Sequence, residues 1–142
     1  MSLQCAFSLD TENQFPNAHF GDADFFVVYS CDSEKIEFMK KIPNPHKDMH
    51  SEDNHGDQSK AEAIIQLLKN ESVNVLISRQ FGPNIRRINQ HFIPVMISAE
   101  DPQEVIQILK KHGHWIEEEW QKTTSQYKLF KIKAGVLKLR IE

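Results

Sequence analysis

The chain lacks the long apolar segments of a membrane protein. None of its apolar runs approaches the roughly 20 consecutive residues that a helix needs to cross a bilayer. Its first residues also lack the charged and apolar regions of a secretory signal. We therefore expect a cytoplasmic protein with no membrane partner. A length of 142 residues fits one domain with a substantial core.

Cysteines are scarce, and the common catalytic motifs are missing. The two cysteines, Cys5 and Cys31, are too far apart in sequence for a CxxC motif. Cys5 falls in a strand pattern and is expected in the core, whereas Cys31 falls at a turn and is expected to be exposed. No GxGxxG or GxxxxGK[ST] motif indicates a nucleotide, and no Ser/His/Asp or Cys/His order indicates a nucleophile. These absences argue against a nucleotide-binding motif and against a hydrolase that uses a serine or cysteine nucleophile.

Positive charge is concentrated at the end of the chain. The formal net charge is -3, but residues 122–142 carry +5, which leaves -8 for residues 1–121. The overall acidity argues against a dedicated nucleic-acid binder. The basic end is typical of a solubilised edge strand, and an anionic partner for it is the alternative.

The most informative stretch runs from Val73 to Ile97, where two apolar runs flank a turn and a short helix. Apolar runs of this kind are typical of parallel strands buried on both faces, so the stretch predicts a β-α-β unit. Pro83 suits the first position of the helix, and Gly82 lets the backbone approach a ligand closely. We expect the N–H groups of Gly82 to Ile85 to form an anion site at the carboxyl edge of the sheet.

The other segments complete an α/β fold with a mixed five-stranded sheet in three layers. The predicted elements are a strand over Leu3–Leu9, a hairpin of Phe25–Ser30 and Lys35–Ile42, a helix from Ser59 with a Ser59–Glu62 capping box, and a capped helix from Asp101. The core domain is expected to cover residues 1–112. Residues 113–142 are expected to form a C-terminal extension packed on the same domain, with a possible β-hairpin of Leu129–Ile132 and Leu137–Ile141.

Four connections of this fold should leave the sheet at one edge. If the first, third, fourth and fifth strands run parallel, residues 10–22, 43–58, 78–82 and 98–101 all emerge at their carboxyl ends. Ligands of open α/β sheets bind along that edge, where neighbouring connections diverge. His19, a histidine-rich loop and the Gly82 turn would then share one rim.

Two groups of histidines are candidates for chemistry. His46, His50 and His55 lie among acidic residues in the long loop, and they are either ligands of Zn or another divalent metal or merely solvated side chains that titrate. Their spacing matches no zinc finger or HExxH motif, and a metal-dependent hydrolase at these residues is an alternative function. His19 taken alone is typical of a structural histidine that bonds a backbone carbonyl.

Four short motifs occur in order over residues 3–112. They are His19-Phe20-Gly21 followed by Phe25-Phe26, then Ile42-Pro43-Asn44-Pro45, then Gly56 before Ala61-Glu62-Ala63, and finally Val73–Ile77 running into Phe81-Gly82-Pro83-Asn84. Together they resemble the dinitrogenase iron-molybdenum cofactor biosynthesis family, the small nitrogenase accessory and cofactor-carrier proteins. The resemblance implies a ribonuclease H-like three-layer fold and a non-enzymatic carrier of an anionic iron-sulfur or molybdenum-iron-sulfur cluster. It also implies partner proteins that donate or accept the cluster.

The resemblance makes His19 the leading candidate for a cluster ligand. The cofactor-binding set that it suggests is His19, Phe20, Gly21, Arg79, Phe81, Gly82 and Asn84. Our leading hypothesis adds the loop of residues 46–55, with His46, His50 and His55, as a lid or as auxiliary ligands. Family members often have small residues where this chain has Arg79-Gln80, and Arg79 would attract an anionic cluster. Residues 113–142 have no counterpart in the family. Three roles stay open for them: covering a sheet edge, pairing with another subunit in a homodimer, or contacting a different partner.

Overall fold

The described chain contains seven strands, and all of them belong to one mixed sheet. The computed structural model describes residues 3–32, 35–47, 58–122, 125–133 and 136–140. The strands are β1 (Leu3–Leu9), β2 (Phe25–Cys31), β3 (Ile36–Pro43), β4 (Val75–Ser78), β5 (Ile93–Met96), β6 (Leu129–Lys133) and β7 (Val136–Arg140). Their order across the sheet is β3-β2-β1-β4-β5-β6-β7.

Strand direction confirms that several connections share one edge. β2 runs antiparallel to both β1 and β3, so β1 and β3 point the same way. β4 is parallel to β1, and β5 is parallel to β4. The connections that follow β1, β3, β4 and β5 therefore all leave from the carboxyl edge, as the sequence predicts.

Helices cover both faces of the sheet and make three layers. They are α1 (Gln58–Asn70), α2 (Ile85–Ile88) and α3 (Pro102–Gln121). On one face, Val105 and Leu109 of α3 belong to the same buried cluster as Phe7 of β1. On the other face, Ile64 of α1 and Ile88 of α2 are clustered with Ala6. Successive side chains of β1 thus pack into the cores on opposite faces of the sheet, because side chains alternate across a strand. None of the described helices has the length and apolarity to span a bilayer.

The predicted number of five strands is wrong, since the C-terminal hairpin extends the sheet. β6 pairs in parallel with β5 through Val95–Phe130 and Met96–Lys131. The 20 residues of α3 supply the crossover that parallel strands require. Phe130 is buried as part of the core. Without β6, the apolar strand β5 would form an exposed edge. The division of the chain near His112 stays a prediction, and α3 runs across that position.

One of the two predicted helix caps is present. Asp101 accepts a hydrogen bond from the Glu104 N–H at 2.8 Å, and Glu104 accepts one from the Asp101 N–H at 3.1 Å. This reciprocal capping box starts α3 as expected. The proposed Ser59–Glu62 box is wrong, because α1 already begins at Gln58 and Ser59 lies inside the helix. Glu62 instead forms an ion pair with Arg87 at 3.0 Å.

A buried carboxylate joins the end of α3 to the start of β6. Glu119 is only 3% exposed. One of its oxygens accepts a hydrogen bond from the Lys128 N–H at 2.9 Å, and the other pairs with Lys122 Nζ at 3.1 Å. Burial and the nearby Glu119 charge raise the pKa of Tyr127. The side chain therefore holds the turn that returns the chain to the sheet.

Replacing Glu119 with alanine should destabilise the protein by about 1–3 kcal/mol, because the Lys128 N–H loses its acceptor in a partly buried setting. Urea denaturation measures the effect. Glu118→Ala is the matched control, since Glu118 is exposed on the same helix, and it should change stability by no more than about 0.5 kcal/mol. Equal losses for the two variants would contradict the structural role of Glu119.

Candidate functional site

The candidate site lies where the connections after β1 and β4 diverge. The connection after β1 leads to β2, towards the β3 edge of the sheet. The connection after β4 leads to β5, towards the β7 edge. This is the switch point at which open α/β sheets bind ligands. The connection after β1 crosses the sheet end: Phe15 stacks on Phe7 of one core at 5.6 Å, and Phe20 packs near Phe81 of the other core at 6.0 Å.

The crossing segment is fixed to the end of β4 by backbone contacts. His19 and Gln80 form an isolated parallel bridge, and the Phe20 N–H donates to the Gln80 carbonyl at 2.9 Å. The Ser78 hydroxyl donates to that same carbonyl at 3.1 Å. The Gln80 side chain also donates to Asn17 at 2.9 Å. The position of His19 is therefore set by β4 as well as by its own connection.

The imidazole of His19 lies face-on against Gly82. Gly82 has a φ of +67°, and a β-carbon built on it would be 2.8 Å from Cε1 of His19, 2.9 Å from Nδ1 and 3.1 Å from Nε2. Three nearly equal distances place the flat face of the ring over the glycine. The nitrogen lone pairs lie in the ring plane, so they run alongside Gly82 and not into it. His19 is exposed, and its side chain makes no capping hydrogen bond to the turn it precedes.

Asn44 ties the end of β3 to the same connection. This side chain is 9% exposed, and its amide nitrogen donates to the carbonyls of Gly21 at 3.0 Å and Ala23 at 2.8 Å. Its oxygen accepts a hydrogen bond from the His46 N–H at 3.0 Å. Asn44 thereby fixes the residues that follow His19 and the start of the histidine-rich segment. Asn44 belongs to the Ile42-Pro43-Asn44-Pro45 motif but is not among the predicted site residues, although its place between two prolines at the end of a strand is a usable signal.

Lysines pair with the acidic side chains of this rim. Lys60 Nζ lies 2.6 Å from Asp22 Oδ1 and donates to the Lys47 carbonyl at 2.8 Å. Lys47 in turn forms an ion pair with Asp24. Gly21 packs closely against the same lysine, because an added β-carbon would lie 3.2 Å from Lys60 Cε. The negative charge next to His19 is thus offset by lysines from two other segments.

Comparison with known proteins identifies the family of this chain. The family model described as dinitrogenase iron-molybdenum cofactor matches residues 1–112. The chain belongs to this family. The resemblance found in the sequence is thereby confirmed, and it associates the protein with biosynthesis of the nitrogenase iron-molybdenum cofactor. Among curated proteins, none matches the chain significantly. Strands β6 and β7 lie outside the part that the dinitrogenase iron-molybdenum cofactor family shares.

Some of the residues predicted for cofactor binding lie at the rim, and others are buried beneath it. His19 and Gly82 meet at the rim, whereas Phe20 and Phe81 are 3% and 2% exposed and pack beneath it. Arg79 is half-buried in the connection that follows β4. Asn84 is also half-buried, at the end of the 3-10 turn Gly82–Asn84. The two phenylalanines therefore hold the connections in place from the core side.

The predicted row of free amides at Gly82 to Ile85 is wrong. The helix is a 3-10 turn followed by α2, which has four residues. Pro83 has no N–H, and the Ile85 N–H donates to the Gly82 carbonyl. So short a helix also carries little macrodipole, because the dipole is a sum over aligned peptide units. The attraction of a helix dipole for an anion is therefore small at this turn.

The histidine triad is placed only in part. His46 is half-buried in the turn after β3, whereas His50 and His55 lie outside the described residues. Within the described ranges, no three His, Cys, Asp or Glu side chains are grouped closely enough to hold a metal ion. A divalent-metal site at these histidines therefore stays a prediction.

Gly82→Ala should destabilise the protein by about 1–3 kcal/mol, since alanine would have to adopt a left-handed conformation and displace the His19 ring. Gly113→Ala is the matched control. No atom lies within 4 Å of a β-carbon at Gly113 in α3, so that change should stabilise the protein by about 0.5–1 kcal/mol. Urea denaturation of the two variants checks both signs. Stabilisation by both would mean that Gly82 is not constrained by His19.

Proposed function

We propose that the protein is a non-enzymatic carrier of a preformed anionic iron-sulfur or molybdenum-iron-sulfur cluster, on a ribonuclease H-like frame. The cluster is cargo, and His19 is the ligand that holds it. The observation that carries this proposal is the exposed imidazole set against Gly82 at the switch point of the sheet. Family membership supplies the chemical class of the cargo.

The arrangement of ligands fits a carrier better than a protein that keeps its cluster. Resident iron-sulfur clusters are usually held by four cysteine thiolates. This chain has two cysteines, and Cys5 is buried in the core. The described residues also offer no group of three metal ligands. A single imidazole bond leaves the rest of the cluster open for a donor or acceptor protein.

The charges around His19 also suit an anionic guest. Asp22 and Asp24 are the nearest acids along the connection, and each is paired with a lysine. Arg79 adds a positive charge beside Gln80, the residue that bridges to His19. Opposite charges attract strongly only over short distances in salt solution, so the guest has to sit close to this rim. We propose that Arg79 steers the cluster to His19.

The test is anaerobic reconstitution of the full chain with isolated iron-molybdenum cofactor, followed by metal and sulfide analysis after gel filtration. The wild type should retain about one cluster per chain. His19→Ala should bind it at least about tenfold more weakly, since it loses the ligand and leaves Gly82 untouched. His114→Ala is the matched control, because His114 is exposed on α3 and lies outside the matched region.

Circular dichroism and urea denaturation of both variants separate loss of a ligand from loss of the fold. If a folded His19→Ala variant retains as much cluster as the wild type, His19 is not the ligand. If the wild type itself retains none under these conditions, the carrier function is rejected.

A further inference from the structure

A cavity of about 110 Å³ lies between the sheet and α3, away from the rim that carries His19. Cys5 and Cys31 both line it, together with Lys110, Gly113 and His114. Cys5 is buried and Cys31 is half-buried. These are all the cysteines of the chain, so the fold places both thiols at one opening.

The strand register defines the distance between the two cysteines. Leu3 pairs with Cys31 and Cys5 pairs with Tyr29, so the cysteines are diagonal neighbours on one face of β1 and β2. Diagonal positions of an antiparallel pair are about 7–8 Å apart at Cα, which exceeds the roughly 6.8 Å limit of ordinary disulfides. The thiols nevertheless interact, because a hydrogen bond to Cys31 and burial raise the pKa of Cys5 well above its ordinary value. At the Cα spacing typical of diagonal positions, an S–S bond would require the backbone to move.

We propose that Cys5 and Cys31 bind a soft monovalent metal ion as a pair of thiolates, with Cu(I) as the representative ion. Thiolates select such ions over hard cations. In the binding step two S–H bonds break and two metal–sulfur bonds form. Two protons pass to solvent, and no atom changes its oxidation state.

Two-coordinate binding agrees with the ligands that the cavity provides. A monovalent ion with a filled d shell accepts two thiolates in a line, whereas structural zinc takes four ligands. The described residues contain no group of three ligands, which excludes a preformed zinc centre among them but leaves the dithiolate pair intact. A metal ion between two sulfurs also tolerates a wider spacing than a direct S–S bond does.

Acidic and basic side chains both line the cavity. Asp32 and Glu117 lie there together with Lys110, and the charge of Lys35 interacts with Asp32. Gly113 has no atom within 4 Å of a β-carbon, and packing therefore does not require a glycine there. Glycine in a helix costs about 1 kcal/mol relative to alanine. Its presence leaves this part of the cavity lining without a side chain.

The test is anaerobic titration of the reduced full chain with Cu(I), in competition with the chelator bicinchoninate. The wild type should bind one Cu(I) per chain, and bound copper should protect both thiols from a thiol reagent. Cys31→Ser should weaken binding at least about a hundredfold. This variant changes a half-buried residue, so the core around Cys5 is kept, and circular dichroism verifies its fold.

Two controls exclude histidine sites. His112→Gln, on α3 but outside the residues that line the cavity, should stay within about threefold of the wild type, and so should a variant with His46, His50 and His55 all changed to glutamine. Equal copper binding by wild type and Cys31→Ser would overturn the proposal, as would binding that is lost in the triple histidine variant. Formation of an intramolecular disulfide by mild oxidation, with no copper bound to the reduced protein, would overturn it as well. None of these outcomes depends on cluster binding at His19.

Discussion

The candidate site depends on one constraint: the connection after β1 has to cross the end of the sheet and bond to the backbone of the neighbouring strand. The Gln80 carbonyl accepts from the Phe20 N–H and from Ser78, and it thereby holds the crossing point against β4. Aromatic side chains anchor the segment in both cores. With its backbone fixed in this way, the His19 ring lies against Gly82 and makes no capping hydrogen bond to the turn that follows. An exposed imidazole on a rigid support suits metal ligation, because its position is set before the metal binds.

Local patterns predicted most of the elements that build this site. β1 has the bounds expected from its apolar residues, and the Val73–Ile97 unit is present because buried parallel strands leave an unmistakable apolar signature. The shared carboxyl edge followed from the element order, and with it the meeting of His19 and Gly82. The helix cap at Asp101 was predicted correctly as well, because the proline and glutamate of the capping motif lie within three residues of it.

The features that the sequence did not predict depend on contacts between distant segments. The two bonds from Asn44 span 23 and 21 residues, and no local pattern specifies them. β6 joins β5 only after a long helical crossover. A hairpin that stands apart from the sheet and a hairpin that extends it have the same local sequence pattern. The number of free amides at Gly82 is smaller than expected, because the segment forms a 3-10 turn and not the first turn of an α-helix. The two kinds of turn share their residue preferences, so the sequence does not distinguish them. In the same way, the pairing of Cys5 with Cys31 becomes visible only through strand register.

The two proposed sites occupy different ends of β1, and their separation has a chemical consequence. Cys5 and Leu9 are four residues apart, or about 13 Å along a strand. Thiolates are the usual ligands of iron-sulfur clusters, so cysteines beside His19 would hold the cluster more firmly than a carrier can accept. Placing both thiols at the far cavity leaves the rim with an imidazole and paired charges. The same placement keeps a soft metal ion away from the cluster, because an ion between Cys5 and Cys31 has no ligand in common with a guest at His19.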